Sequence, residues 1–382
     1  MRTFWSRVDS MDGLSTEEGP EGRALKLPWE SHRSSKADFE VAPALSVGSV
    51  ATPESASVYY SGKYWNDFPE VQAHLNKLAT GSADSDWTDE LLRAQDPGHA
   101  LILNCGNGWV ERELIDRGAI KSAVAIDILP TLIQQASTAK GPRKIQYQVG
   151  NINEFDFPKE DFDCVINFAA CHHITHIDRT MRGVAQSLRP DGLFVSYDYV
   201  GPHRNQYPYD MWQAVWNANN QLPLEARAQL SYPHLPTMLA TDPTEAVHSE
   251  LILETLHRYF ESPVVRPLGG AIAYPILTHN ANVHALSERD RRGFMPQLLA
   301  LDEQESARRV ESSLFAFLIS RPLPFMQHDE AALRRWTEDE EVRETHAQHS
   351  GGEYYDRTLL QELTNDLADV RHQARMLERH EG

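Results

Sequence analysis

The chain has 382 residues, 41% of them apolar, with 55 acidic against 36 basic side chains and a formal charge of −19. At roughly 100 to 200 residues per domain this length holds two or three units and a sizeable core, and no run approaches the ~20 apolar residues needed to cross a bilayer. The acidic balance argues against a nucleic-acid partner, because phosphate binding needs a basic stripe, and the absence of an apolar centre in the first residues makes a cytoplasmic location the expectation.

In chain order, residues 1–55 mix Ser, Pro, Gly and charge without periodicity and read as a loose arm. Aromatics then gather at Tyr59, Tyr60, Tyr64 and Trp65, and V-Q-A-H-L-N-K-L from Val71 reads as a short amphipathic helix. Five apolar strands are predicted at 100–105, 123–128, 145–149, 164–168 and 193–197, alternating with helical stretches. Such alternation predicts an α/β fold with a mostly parallel, doubly wound sheet over 56–205. Residues 206–262 turn helical and rich in Trp, Tyr and Pro, too long for a simple connection, and read as an inserted helical lid. Two further strands, around 264–265 and 314–319, would complete the sheet within 263–325 as an antiparallel edge pair. The charged extension 326–382 carries Leu360, Leu363, Leu367 and Val370 at alternating steps of three and four. That seam fits either self-association into a homo-oligomer or packing on the protein's own body. Cys105, Cys164 and Cys171 lie in or beside the strands, unspaced for pairs, and read as small core residues and not as a disulfide or zinc framework.

The most informative stretch is A-L-I-L-N-C-G-N-G, from Ala100 to Gly108, followed by the helical W-V-E-R-E-L-I-D and a second strand ending at Asp127. A strand that runs through a glycine turn into a helix brings bare backbone close to a nucleoside, and an acid about 20 residues on can grip ribose hydroxyls. A nicotinamide site would also use such a turn, but Glu111 stands where its third glycine would fall.

With V-G-N-I-N at 149–153, F-D-C-V-I-N-F-A-A-C-H-H-I at 162–174 and S-L-R-P-D-G-L-F-V at 187–195, the order of motifs over roughly 58–322 resembles the class I S-adenosylmethionine-dependent methyltransferases. Within them it is similar to bacterial enzymes acting on small molecules or associated with glycans. The resemblance implies a seven-stranded Rossmann-like sheet and S-adenosylmethionine as cofactor. It also implies methyl transfer, foremost to oxygen, on a small-molecule or glycan acceptor. It places the cofactor against Tyr64, Asn104, Cys105, Gly106, Asn107, Gly108, Asp127, Ile128, Asn151, Ile152 and Asn167. Two positions depart from the family pattern. Asn104 stands for its first glycine, and Ile102 where an acid often anchors the cofactor's amino end. If Asn104 takes positive φ, asparagine is among the better non-glycine choices. These departures, with the C-terminal seam, motivate a second reading as a catalytically degenerate fold that binds or assembles.

Methyl transfer needs an acceptor lone pair held in line, and a base only where the acceptor must lose a proton. His172, His173 and His203 are the candidate bases, at the strand ends where open sheets bind ligands; each can instead cap or pack in its loop. Tyr199, Arg204 and Trp212 are candidate substrate contacts. Arg204 can fork onto a carboxylate or phosphate or fix the lid by an ion pair, and Trp212, with Met211, Val215 and Trp216 at helical spacing, also suits the core of the insert. No metal is expected, since adjacent histidines in an extended segment point apart.

Overall fold

Ala100–Leu103 is apolar at every position and buried on both faces, as a central parallel strand requires. Seven strands share one sheet: β1 (His99–Leu103), β2 (Ser122–Asp127), β3 (Ile145–Val149), β4 (Phe162–Phe168), β5 (Leu188–Tyr199), β6 (Phe260–Gly269) and β7 (Phe315–Pro322). The computed structural model describes residues 62–324 apart from 236–237, 239–241, 243 and 309–312. The arm, Tyr59, Tyr60, the C-terminal extension and its leucine seam lie outside the described residues.

The spatial order is β3-β2-β1-β4-β5-β7-β6. The first five strands pair parallel, and β7 runs antiparallel between β5 and β6. This is a doubly wound, Rossmann-like α/β sheet. The two late strand segments read from the sequence pair antiparallel and are longer than their apolar runs, spanning Phe260–Gly269 and Phe315–Pro322.

Strand alternation divides the interior into two layers. Ala100, Ile102, Cys164, Ile166 and Val195 face one core, while Leu101, Leu103, Val165 and Phe194 face the other. Helices cover each face. Helix α1 (Pro69–Thr80) begins on a proline and stops at Gly81 with φ 84°. Helix α2 (Trp87–Ala94) is held by a reciprocal capping box between Asp86 and Asp89. Helices α3 (Trp109–Asp116), α4 (Pro130–Ala139) and α5 (Ile177–Ser187) fill the crossovers. After β5 come α6 (Tyr209–Gln221) and α7 (Ile252–Tyr259).

Between β6 and β7 four short helices span Ala273 to Ser306, where the sequence suggested only completion of the sheet. The last of them is tied to the start of the first by the fully buried Asp302, whose carboxylate accepts from the amides of Gly270, Ile272 and Ala273 at 2.7–2.8 Å. A single side chain thus satisfies the free amides of a helix start, and periodicity does not reveal such a device. All three cysteines are free and buried. Among the described residues no helix is long and apolar enough to cross a membrane.

Candidate active site at the carboxyl edge of the sheet

Parallel strands that end together put the β1, β2, β4 and β5 termini along one edge. At β1 the chain turns sharply: Asn104, Gly106 and Gly108 have φ of 44°, 57° and 78°. Asn104 thus adopts the left-handed conformation that its short amide tolerates, and its Nδ2 donates to the Ala170 carbonyl at 3.3 Å, tying the turn to the loop after β4. The Cys105 amide donates to the Ile126 carbonyl at 2.8 Å, and burial drives the Cys105 thiol far above its usual range. The Asn107 side chain accepts from the Trp109 amide at the start of α3. Gly108 is bare for packing reasons: a Cβ there would lie 2.4 Å from the Tyr147 hydroxyl and 2.8 Å from the Ala136 methyl. Ile102 is a core residue, 2% exposed.

Asp127 closes this half of the site from the end of β2. One carboxylate oxygen accepts from the Gly106 amide at 2.8 Å and the other from the Leu129 amide at 2.9 Å. Burial pushes its pKa up, against the pull of those two amides. A carboxylate offers about four lone-pair positions. The carboxylate keeps acceptor capacity beyond its backbone bonds, which fits the adjacent hydroxyls of a ribose. Ile128, next along, is half-buried.

Across the edge a side-chain network replaces this backbone frame. Asp198, 1% exposed near the end of β5, accepts four hydrogen bonds. His172 Nδ1 and the Tyr199 amide reach Oδ1 at 2.6 and 2.7 Å, and Asn167 Nδ2 and the Cys171 amide reach Oδ2, both at 2.7 Å. Burial alone would raise its pKa; His172, Asn167 and the Tyr199 amide reverse that and hold it below the usual range. Burial likewise disfavours the His172 imidazolium, but Asp198, then Glu245 and Asp242, outweigh it and raise its pKa to about 9. His173 moves the opposite way, lowered by burial and by its charged neighbour.

The two histidines do not sit in an extended segment, which corrects the premise on which they were expected to diverge. Cys171–His173 is a turn of 3-10 helix, and the two rings lie 4.2 Å apart. Glu245, from the insert after α6, faces both: its Oε2 is 3.9 Å from His172 Nε2 and 3.8 Å from His173 Nε2.

Other residues singled out from the sequence take supporting positions. Both Asn167 amide hydrogens go to Ser196 and Asp198, and its oxygen accepts from the Cys171 amide, so this 1%-exposed side chain fixes the network from inside. The Asn151 side chain caps its own turn, accepting from Asn153 and donating to Glu154, while Ile152 packs into the core with Leu101 and Ile126. Trp212 is 1% exposed, stacked on Tyr207 and edge-on to Tyr232, so its ring serves the core of the insert. The Tyr199 hydroxyl donates to the Pro202 carbonyl. Arg204 donates to the main-chain carbonyls of Glu245 and Ala246, anchoring the insert through backbone. His203 lies against His248; burial, Arg204 and His248 hold its pKa down to about 3. Tyr64 begins a 3-10 turn and meets His279 edge-on, beside Trp65 on Phe315.

Asp242, Thr244 and Glu245 are the members of this edge that sequence reasoning missed. Their T-D-P-T-E run carries an ordinary turn signal, and Asp242 does accept from the Thr244 amide and hydroxyl. Nothing in such a run says what the turn will face.

Residues 101–196 match the family model of a methyltransferase domain. Among curated relatives, the uncharacterized methyltransferase YcgJ of Bacillus subtilis is 22% identical over 35% of this chain and 66% of its own length. Methyltransferase gedG of Aspergillus terreus is 28% identical over 32% of this chain and 39% of its own. The malonyl-[acyl-carrier protein] O-methyltransferase of Acetivibrio thermocellus is 24% identical over 35% and 44% respectively. The chain thus spans between 39% and 66% of the length of these relatives. Together with the strand order, the left-handed turn after β1 and the acid ending β2, the match identifies the segment 101–196 as a class I S-adenosylmethionine-dependent methyltransferase domain.

Proposed function

We propose that this chain transfers a methyl group from S-adenosylmethionine to an oxygen atom of a small-molecule or glycan acceptor. Asp127 carries the reading: it is buried at the strand edge, braced by the Gly106 and Leu129 amides, with carboxylate acceptor capacity left for hydroxyls. S-adenosylmethionine, when bound, supplies the methyl group on an electrophilic sulfonium. Asp127 holds the ribose hydroxyls, and the left-handed turn at Asn104–Gly108 lets backbone replace side chains along that ligand. Positioning supplies most of the rate in such a displacement. The acceptor enters beside β4 and β5, where His173, held below the ordinary imidazole range by burial and by its charged neighbour, faces Glu245 and receives the proton a hydroxyl gives up. The named O-methyltransferase among the relatives supports oxygen as the acceptor atom.

Calorimetric titration of the full chain with S-adenosylmethionine and S-adenosylhomocysteine tests this. Binding of both is expected, and Asp127→Ala should weaken it by about 1 to 3 kcal/mol, the scale of leaving polar groups unpaired. No heat at millimolar cofactor would instead favour a degenerate fold that binds or assembles, and an unchanged affinity in the variant would remove Asp127 from the ribose.

A further inference from the structure

We propose that His172, His173 and Glu245 form a binding site for one divalent transition-metal ion of the zinc, iron or cobalt type. Two imidazoles and one carboxylate make a donor set suited to these ions and poorly suited to magnesium or calcium, which favour oxygen. One ligating atom from each residue can be chosen so that all three lie within 4.8 Å of one another. Glu245 Oε2 is already 3.9 and 3.8 Å from the two Nε2 atoms. Ligands about 2.1 Å from an ion at tetrahedral angles stand about 3.4 Å apart, so each carboxylate–imidazole separation is about half an ångström too long and the imidazoles must close from within 4.8 Å.

What raises the trio above a chance grouping is its outer layer, because ligating side chains need their other polar atoms fixed by neighbours. His172 donates from Nδ1 to Asp198 at 2.6 Å. His173 Nδ1 meets the Thr244 hydroxyl at 3.1 Å, and that hydroxyl spends its own hydrogen on Asp242 at 2.7 Å. The imidazole must therefore donate from Nδ1, which leaves the lone pair on Nε2, the atom facing Glu245. Glu245 in turn accepts from Asn205 on Oε1, leaving Oε2 for the cluster. All three ligands are oriented by a different residue, and all three inward atoms converge. Arg204 steadies the loop through the Glu245 carbonyl. Side-chain exposures of 8% for His172, 26% for His173 and 14% for Glu245 leave an entry path. Three protein ligands leave at least one coordination position open, as in catalytic rather than structural sites. The ion would occupy the same cluster that receives the acceptor's proton in the methyl-transfer reading, so the two roles are alternatives there, while cofactor binding at Asp127 stands or falls separately.

Chelator-treated full-length protein titrated with cobalt(II) chloride tests the site, read by visible absorption and by metal content after dialysis. Uptake of an equivalent per chain is expected to disappear in Glu245→Gln. Thr244→Val keeps the three ligands and removes the hydroxyl beside His173; it should weaken uptake about 10- to 100-fold. His99→Gln, an imidazole on β1 held by Ser122, should bind as the parent does. No saturable uptake, or uptake unchanged in both Glu245→Gln and Thr244→Val, would overturn the site. If Glu245→Gln fails to fold by circular dichroism, Thr244→Val alone decides. S-adenosylhomocysteine titration of the same samples separates loss of metal from loss of the cofactor.

Discussion

In the half of the edge built on β1 and β2, the bonds that hold Asp127 reach across 21 residues to Gly106 and across two to Leu129, and both donors are backbone amides. In the half built on β4 and β5, His172 meets Asp198 across 26 residues, Glu245 meets Asn205 across 40 and His173 meets Thr244 across 71, all three through side chains, with the Cys171 and Tyr199 amides as further backbone donors to Asp198. A frame made of local backbone conformation needs particular residue types at fixed short spacings. A frame made of distant side chains needs only that the fold bring them together. The two halves should therefore fail differently when single residues are changed.

The largest effect is expected at Asp198. Asp198→Ala leaves His172, two amides and Asn167 facing an empty, buried space, and removing one partner of a buried charged pair costs about 3 to 5 kcal/mol. Urea denaturation of the full chain would show it as a lower midpoint. A loss under about 1 kcal/mol would mean that the β4–β5 half does not depend on its side-chain network.

Gly108 is the corresponding test of the other half, with a somewhat smaller effect. Gly108→Ala must keep a φ of 78° and place its methyl 2.4 Å from the Tyr147 hydroxyl and 2.7 Å from Glu111 Oε1. Left-handed strain of about 1 to 2 kcal/mol plus the cost of moving those neighbours gives an expected loss of about 2 to 3 kcal/mol. The same change should weaken S-adenosylhomocysteine binding, because the turn cannot hold its shape. Wild-type stability and affinity would show that the turn has an alternative conformation and that the backbone frame is looser than drawn.

The contrast also explains what the sequence made legible. The apolar runs of β1 to β5, the N-C-G-N-G turn and Asp127 were readable because each rests on local pattern: full burial of a central strand, positive φ, and an acid one strand later. The left-handed Asn104 was legible only as a condition, since asparagine tolerates positive φ but does not require it. Strand ends were less legible, since β5 begins at Leu188 and not at its apolar run, where pairing with Phe162 extends it. The helices between β6 and β7 escaped notice because Asp302, and not periodicity, organises their start. At the second half of the site His172 and His173 stood out as residue types, but the 3-10 turn that aligns their rings and the insert that brings Glu245 to them are products of tertiary packing. Asn167 and Trp212 were noticed for their chemistry, yet burial assigns the first to bracing Asp198 and the second to the core of the insert.

Glu111 gives the smallest effect and the sharpest sign, because it is a charge hidden in the half otherwise framed by backbone. It lies on α3 directly under the glycine turn and is fully buried. Burial raises its pKa above the ordinary 4.5, more than the Tyr147 hydroxyl and Arg112 pull it down. A carboxyl whose folded pKa is raised keeps a proton that the unfolded chain has released. Its stabilising contribution is therefore present at low pH and lost as pH rises from the unfolded value through the folded one. Glu111→Gln keeps the shape and cannot ionise, so it should be more stable than the parent by about 1 kcal/mol near neutrality, the lower end of the cost of an ill-paired buried group. The advantage should shrink toward zero as the pH falls to about 4 and below, where the carboxyl becomes mainly protonated in the unfolded chain as well. Urea midpoints of the two proteins at about pH 4 and pH 7 measure it. A variant less stable at neutrality, or an advantage equal at both pH values, would mean that the Glu111 charge is compensated by a partner beneath the turn, and the backbone-built half would then depend on a buried ionic contact just as its neighbour does.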